Sequence, residues 1–303
     1  MGTGHDHGPV AEHAGGRYRT RLAVAFALTA AFFVVELGAG LVSGSLALIS
    51  DAGHMAADVV ALGASLVATR IATRPDRSGR RTYGSYRAEV FASGLTVLIM
   101  VGVGLYVLLE AVSRIGQAPP VASRTMIAVG VVGLAVNVVS MLVLRAGSQE
   151  SLNVRGAYFE VVADAAGSVG VIVAGALIAI TGNGSWDLVV AVLIAVFVLV
   201  RAVTLGNQVL AVLGQHAPAG IDPDQVAVSL DGIEGVAQVH DLHVWALTSG
   251  MNVATAHLVA APDADHHDVL DHARDVLRDQ FGIAHATLQV EPIDHHGCHD
   301  LAW

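Results

Sequence analysis

Two helix-spaced pairs of ligand-type side chains carry the strongest chemical signal in this sequence. His54 and Asp58 close the run Ser-Leu-Ala-Leu-Ile-Ser-Asp-Ala-Gly-His-Met-Ala-Ala-Asp, and Glu160 and Asp164 repeat the same i, i+4 spacing about a hundred residues later. On a helix that spacing puts both members of a pair on one face. Asp51 lies three residues before His54, close to the same face. Imidazole and carboxylate are donors suited to a divalent metal such as zinc. The pairs are therefore candidates for one shared cation site, with Asp51 in an access or supporting position.

The elements that would hold these residues are apolar. Runs near 22–42, 46–68, 90–112, 124–144, 157–181 and 186–208 each approach the ~20 residues needed to cross a hydrocarbon core. Phe91–Leu109 and Thr125–Leu144 contain no charged residue, so a water-soluble bundle would have no polar face to present there. The first run is too long for a signal-peptide core and contains Glu36, so it reads as a retained helix. An ionisable group at membrane depth costs about 2–3 kcal/mol even on the lenient insertion scale. The four ligand-type groups are best explained if they face one another and share a cation, whereas Glu36 and Asn137 read as interhelical contacts.

Arginines cluster before helix 1 (Arg17, Arg19, Arg21), between helices 2 and 3 (Arg70 to Arg87) and around the helix 4–5 loop (Arg145, Arg155). The positive-inside rule then places both termini in the cytoplasm. Helix 2 would run outward to inward and helix 5 inward to outward. Transporters use such opposed segments to build a site near the midplane.

Composition narrows the function classes. Of 303 residues 54% are hydrophobic and 14% charged, and the formal charge is −10 with no lysine. Nucleic-acid binding needs a basic footprint, which is missing. One cysteine, Cys298, excludes a disulfide framework. Without lysine there is no phosphate-binding loop for ATP. Histidines are segregated: His5, His7 and His13 in the N-terminal tail, His54 alone in the apolar part, and the other eleven from His216 onward.

From about 209 the pattern is that of a small water-exposed domain. Asp222–Leu230 reads as a helix with Pro223 just inside its start. Val236–Ala246 and Met251–Val259 alternate and are joined by Leu-Thr-Ser-Gly, a hairpin signal. Asp265–Gln280 has a helical apolar period, and Ala286–Val290 reads as a last strand. The order α-β-β-α-β fits a ferredoxin-like α+β domain. His240 and His257 fall on neighbouring strands, where pairing would bring them together.

Longer motifs point further. Ser43–Asp58, Arg-Thr-Tyr-Gly-Ser-Tyr-Arg-Ala-Glu at 81–89, Asn-Val-Arg-Gly-Ala-Tyr at 153–158, Ala-Asp-Ala-Ala-Gly-Ser-Val-Gly-Val at 163–171 and Val-His-Asp-Leu-His-Val-Trp at 239–245 resemble the cation diffusion facilitator family, in its zinc-exporting branch. The resemblance spans nearly the whole chain. It implies a six-helix transmembrane bundle (21–208) between a cytoplasmic tail (1–20) and a ferredoxin-like dimerisation domain (209–293), with a second tail (294–303). It implies a transport site of His54, Asp58, Glu160 and Asp164, and cytoplasmic metal ligands His240, His257 and Glu291. The tails would add donors at His5, His7, His295 and Cys298.

One position departs from the family pattern: Glu160 stands where the zinc branch usually has histidine. An oxygen donor hardens the site and makes cobalt, cadmium or manganese more acceptable relative to zinc. The expectation is a homodimeric secondary transporter in the bacterial inner membrane, exporting Zn2+ against protons and doing no enzymatic chemistry. Metal and proton would compete for one site, because metal binding releases protons and desolvation disfavours bare carboxylates. The rivals are a metal-sensing dimer without transport and an intramembrane metalloenzyme. The latter lacks any His-Glu-x-x-His motif.

Overall fold

A computed structural model describes residues 14–72, 82–83, 87–117, 121–145, 152–248 and 250–294. The chain divides into two compact units, one of residues up to 75 and 92–206, the other of 76–91 and 207 onward. The first unit is built from long helices: α1 (Ala14–Ser43), α2 (Leu46–Ala72), α3 (Ala88–Arg114), α4 (Ser123–Arg145), α5 (Leu152–Thr181) and α6 (Ser185–Leu213). These cover the six expected apolar runs and extend past them. The apolar window marks only what must be lipid-compatible, and backbone hydrogen bonding carries a helix further.

Five of them are, among the described residues, long and apolar enough to cross a membrane: Ala23–Ser43, Ala88–Arg114, Ser123–Arg145, Tyr158–Thr181 and Ser185–Leu213. The helix outside that set is α2, which carries Asp51, His54 and Asp58. Large apolar side chains such as Val42, Leu98, Leu109, Ile180 and Leu193 point outward. Outward-facing apolar residues suit hydrocarbon surroundings, where small residues rather than a hydrophobic effect draw helices together. Helix α4 lies against α5 and α1, and α2 against α1 and α5. At Gly133 of α4 a side chain would collide with Phe32 of α1, 2.6 Å away, and with Ser168 of α5. Asn137, one turn on, donates to Ser168 Oγ at 3.4 Å, the interhelical contact expected of it.

The α1–α2 turn is held from two sides. Asp187 of α6 is fully buried and accepts from Ser45 Oγ (2.6 Å), Leu46 N (2.7 Å) and Ala47 N (3.2 Å), so it caps α2 from another helix. Arg114 donates to the Gly44 carbonyl at 2.8 Å and to Glu110 at 2.9 Å. This gives the loop after α3 a structural use for a positive charge that the orientation rule would not place there.

In the second unit α7 (Pro223–Asp231), β1 (Val236–Thr248), β2 (Met251–Ala260), α8 (His266–Phe281) and β3 (His285–Glu291) follow in the expected order. The sheet is mixed, β1-β2-β3, with β1 and β2 antiparallel and β2 and β3 parallel. A parallel pair needs a crossover, and α8 supplies it. Asp222 and Asp265 cap the two helices, each accepting from the amide two residues on. Val269, Ala273 and Leu277 of α8 pack with Val226 and Leu230 of α7 over Ala256 and Leu258 of the sheet. The hairpin turn is tighter than the sequence suggests. Leu247 and Thr248 belong to β1, Thr248 pairs with Met251, and Gly250 takes φ 73°.

Candidate functional site

The first site sits between α2 and α5 in the helical unit. His54, Asp58 and Asp164 each present a ligand atom, and all three atoms lie within 4.8 Å of one another. His54 Nε2 is 3.2 Å from Asp164 Oδ1 and 3.8 Å from Asp58 Oδ2. All three residues are buried. The i, i+4 spacing works as expected on α2, and the close α2–α5 packing delivers Asp164 from the facing helix. Gly167 of α5 leaves room there for the Asp51 side chain of α2, whose Oδ1 would lie 2.5 Å from a Cβ. Three acceptor-type groups converge with few donors to satisfy them, an arrangement that a cation would complete.

Glu160 is placed differently. It lies one turn before Asp164, outside the group of three, and forms an ion pair with Arg201 of α6. Arg201 also reaches the site itself: its Nη1 is 3.0 Å from His54 Nε2, and its guanidinium carbon is 5.9 Å from the Phe197 ring centre. Sequence reasoning missed this arginine. The signal is present, since Arg201 interrupts the last apolar run, but its partners depend on helix packing and not on spacing along the chain. Asp51 is buried beside Glu36 of α1 and lies outside the three-residue group. Glu36 therefore meets a second acidic side chain.

The second site is on the sheet of the other unit. His240 and His257 are direct partners across β1 and β2, their rings 5.1 Å apart. Glu291, at the end of β3, is two residues past the partner of His257 and so on the same sheet face. Its carboxylate lies 2.8 Å from His257 Nδ1 and 3.7 Å from His240 Nε2. Ligand atoms of the three lie within 4.8 Å of one another. A β-bulge follows His240, where Asp241 takes φ 51° and the register shifts before His243. Bulges re-aim side chains. Here the bulge brings Asp241 to 3.1 Å from His243 and 3.8 Å from His257, a neighbour that strand alternation alone does not reveal. The proposed tail donors His5, His7, His295 and Cys298 lie outside the described residues.

Known proteins resemble this chain along its length. A family model described as the cation efflux transmembrane domain matches residues 22–213, and one described as the cation efflux protein cytoplasmic domain matches 218–293. The metal cation efflux system protein CzcD of Cupriavidus metallidurans is 42% identical over 292 residues, covering 96% of this chain and 90% of the relative. Zinc transporter ZitB of Escherichia coli is 36% identical over 283 residues, covering 92% and 90%. A cadmium, cobalt and zinc/H(+)-K(+) antiporter of Bacillus subtilis is 31% identical over 307 residues, covering 99% and 94%. A solved metal-bound C-terminal domain of the CzcD transporter is 38% identical, covers 23% of this chain and 99% of that one, and has a TM-score of 0.23. These relatives are metal cation transporters, not enzymes.

Proposed function

Because the chain belongs to the cation efflux family, matched over residues 22–213 and 218–293, we propose that this membrane transporter exports Zn2+ from the cytoplasm in exchange for protons. The observation that carries this reading is the convergence of His54, Asp58 and Asp164 between α2 and α5. In this reading α2 is the sixth span, both termini are cytoplasmic and the protein sits in a bacterial inner membrane. The chain works as a homodimer joined through its ferredoxin-like C-terminal domain, with His240, His257 and Glu291 as a cytoplasmic metal site. The domains proposed are a tail over 1–20, a transmembrane domain over 21–208, a cytoplasmic domain over 209–293 and a tail over 294–303, with α1 starting before the membrane part at Ala14 and α6 running past it to Leu213.

The transport cycle follows from the donor set. A metal ion binds the lone pair of His54 and the ionised carboxylates, so protons held on these groups in the empty site are released as it binds. Opening to the other side lets the ion leave, and the buried carboxylates then take up protons because bare charge is costly there. Zn2+ suits a site with an imidazole donor. With the carboxylate of Glu160 tied to Arg201 where an imidazole is usual in the zinc branch, His54 is the one nitrogen donor of the group, which widens the acceptable ions toward Co2+, Cd2+ and Mn2+. The reading is tested by Zn2+ flux into proteoliposomes under an imposed proton gradient. Asp58→Ala and Asp164→Ala should each lower flux at least about a hundredfold while the protein still elutes as a dimer, since each removes a charged donor from a small set. Wild-type flux in either variant would refute the site.

A further inference from the structure

We propose that Arg201 is a tethered cation that occupies the transport site between cargo ions and must leave His54 for the metal to bind. The inference rests on the transport reading above and assigns a role to a residue outside the ligand set.

The geometry is specific. A guanidinium has donors and no acceptor. Arg201 Nη1 lies 3.0 Å from His54 Nε2, and it can donate there only in the tautomer that leaves the lone pair on Nε2 and the hydrogen on Nδ1. The same Nε2 faces Asp164 and Asp58. It is therefore the nitrogen whose lone pair a metal between the three residues would use. One lone pair cannot accept a hydrogen bond and bind a metal at once, so Arg201 and the cargo exclude each other at His54.

Glu160 completes the device. It holds Arg201 by its second arm and is not among the converging ligand atoms. The pair sits at the more open side of the site. The side chains of Glu160 and Arg201 are 41% and 26% exposed, against 3% for His54 and 4% for Asp164. Arg201 thus has room to withdraw. In the proposed orientation Glu160 lies one turn to the cytoplasmic side of Asp164, so an incoming ion meets the Glu160–Arg201 pair first.

Charge accounting agrees. Two carboxylates and a neutral imidazole balance a divalent ion. A third carboxylate at Glu160 would overcharge the site, and the arginine cancels it. With Arg201 withdrawn but nearby, the loaded site is neutral. With Arg201 inserted, two buried acids and His54 have a cationic neighbour without cargo. An Arg–carboxylate pair is a planar fork, so lysine at this position would not hold both partners in the same way.

The test separates affinity from turnover. Arg201→Met should lower the KM for Zn2+ at least about tenfold and lower maximal flux several-fold, because the ion no longer has to expel the guanidinium and is no longer helped out by it. Glu160→Gln should raise KM about tenfold by leaving the arginine on His54 alone, and adding Arg201→Met to it should restore most of that loss. A KM unchanged or raised in Arg201→Met, or identical in Glu160→Gln with and without Arg201→Met, would overturn the proposal. If Arg201→Met does not yield a folded dimer, Arg201→Lys decides in the same way: a lowered KM supports the proposal and an unchanged or raised one refutes it.

Zn2+ titration calorimetry on the detergent-solubilised full chain carrying His257→Ala, with and without Arg201→Met, is the second readout. Tighter binding without Arg201 in a protein that shows no wild-type flux would retain the arginine's role and sink the transport reading. Normal flux with unchanged binding would sink the arginine's role alone.

Discussion

Asp187 and Arg201 are single charges in one helix, α6, with opposite jobs. Asp187 accepts from one hydroxyl and two amides at the start of α2, and so fixes the helix on which His54 and Asp58 ride. Replacing it by asparagine removes the charge and strands a donor NH2 among donors. Losing a cap and leaving buried amides poorly satisfied costs about 1–3 kcal/mol. Asp187→Asn should therefore lower the thermal midpoint of the purified protein by several degrees. Zn2+ affinity should change little, because His54 lies about two turns along α2, roughly 10 Å away; an unshifted midpoint would show that the cap is dispensable. Both residues were visible in the sequence as charges in an apolar run, yet neither role could be read there. A charge deep in a helix announces that a partner exists, while the identity of the partner depends on how helices pack. The i, i+4 pairs are legible because one helix fixes their geometry, and the same spacing groups Glu160 with Asp164. The competing attraction of Arg201, more than thirty residues away, is a tertiary fact.

At the scale of elements, helices and strands emerged from apolar period, and their ends were the weaker part. Helix α5 begins at Leu152 rather than 157, and β1 continues through Leu247 and Thr248, because hydrogen bonding extends elements beyond their apolar cores. The bulge at Asp241 had no distinctive sequence signal, since aspartate is tolerated at positive φ without requiring it. Close helix approach was equally hidden among the many glycines of the apolar half. Gly167 and Gly38 look alike in the sequence, yet a Cβ at Gly167 would press on Asp51 Oδ1 and one at Gly38 would meet nothing within 4 Å. Gly167→Ala should thus turn the Asp51 carboxylate away from α5 and reduce Zn2+ flux several-fold if Asp51 supports the site. Gly38→Ala should leave flux within about twofold and gain slightly in helix propensity. Equal flux in the two variants would show that the site does not depend on where the Asp51 carboxylate sits.

At the scale of the whole molecule, the two ligand clusters share no residue and belong to different compact units. The first is buried among apolar helices and holds the charges that any cargo must neutralise. The second is on a sheet face, with His240 and His257 partly accessible and Glu291 buried beneath them. A cluster of that kind can bind metal without lying on the path of the cargo. If the roles divide in this way, the full-length protein should bind Zn2+ at two classes of site, and the losses should be separable. Asp58→Ala should remove the class belonging to α2 and α5 and abolish flux. His257→Ala should remove the cytoplasmic class, because the imidazole lies 2.8 Å from Glu291 and faces His240 across the strands. In that variant flux at saturating Zn2+ should persist within several-fold of wild type. The dependence of flux on cytoplasmic Zn2+ concentration should become less steep if occupancy of the second cluster favours the transporting state, since a ligand shifts an equilibrium only by its differential affinity for the two states. Equilibrium dialysis of the detergent-solubilised protein gives the stoichiometries, and proteoliposome flux gives the transport arm. Abolition of flux by His257→Ala, with the helical site still loaded, would mean that the cytoplasmic cluster is an obligatory stage of the transport route rather than a separate sensor of the same ion.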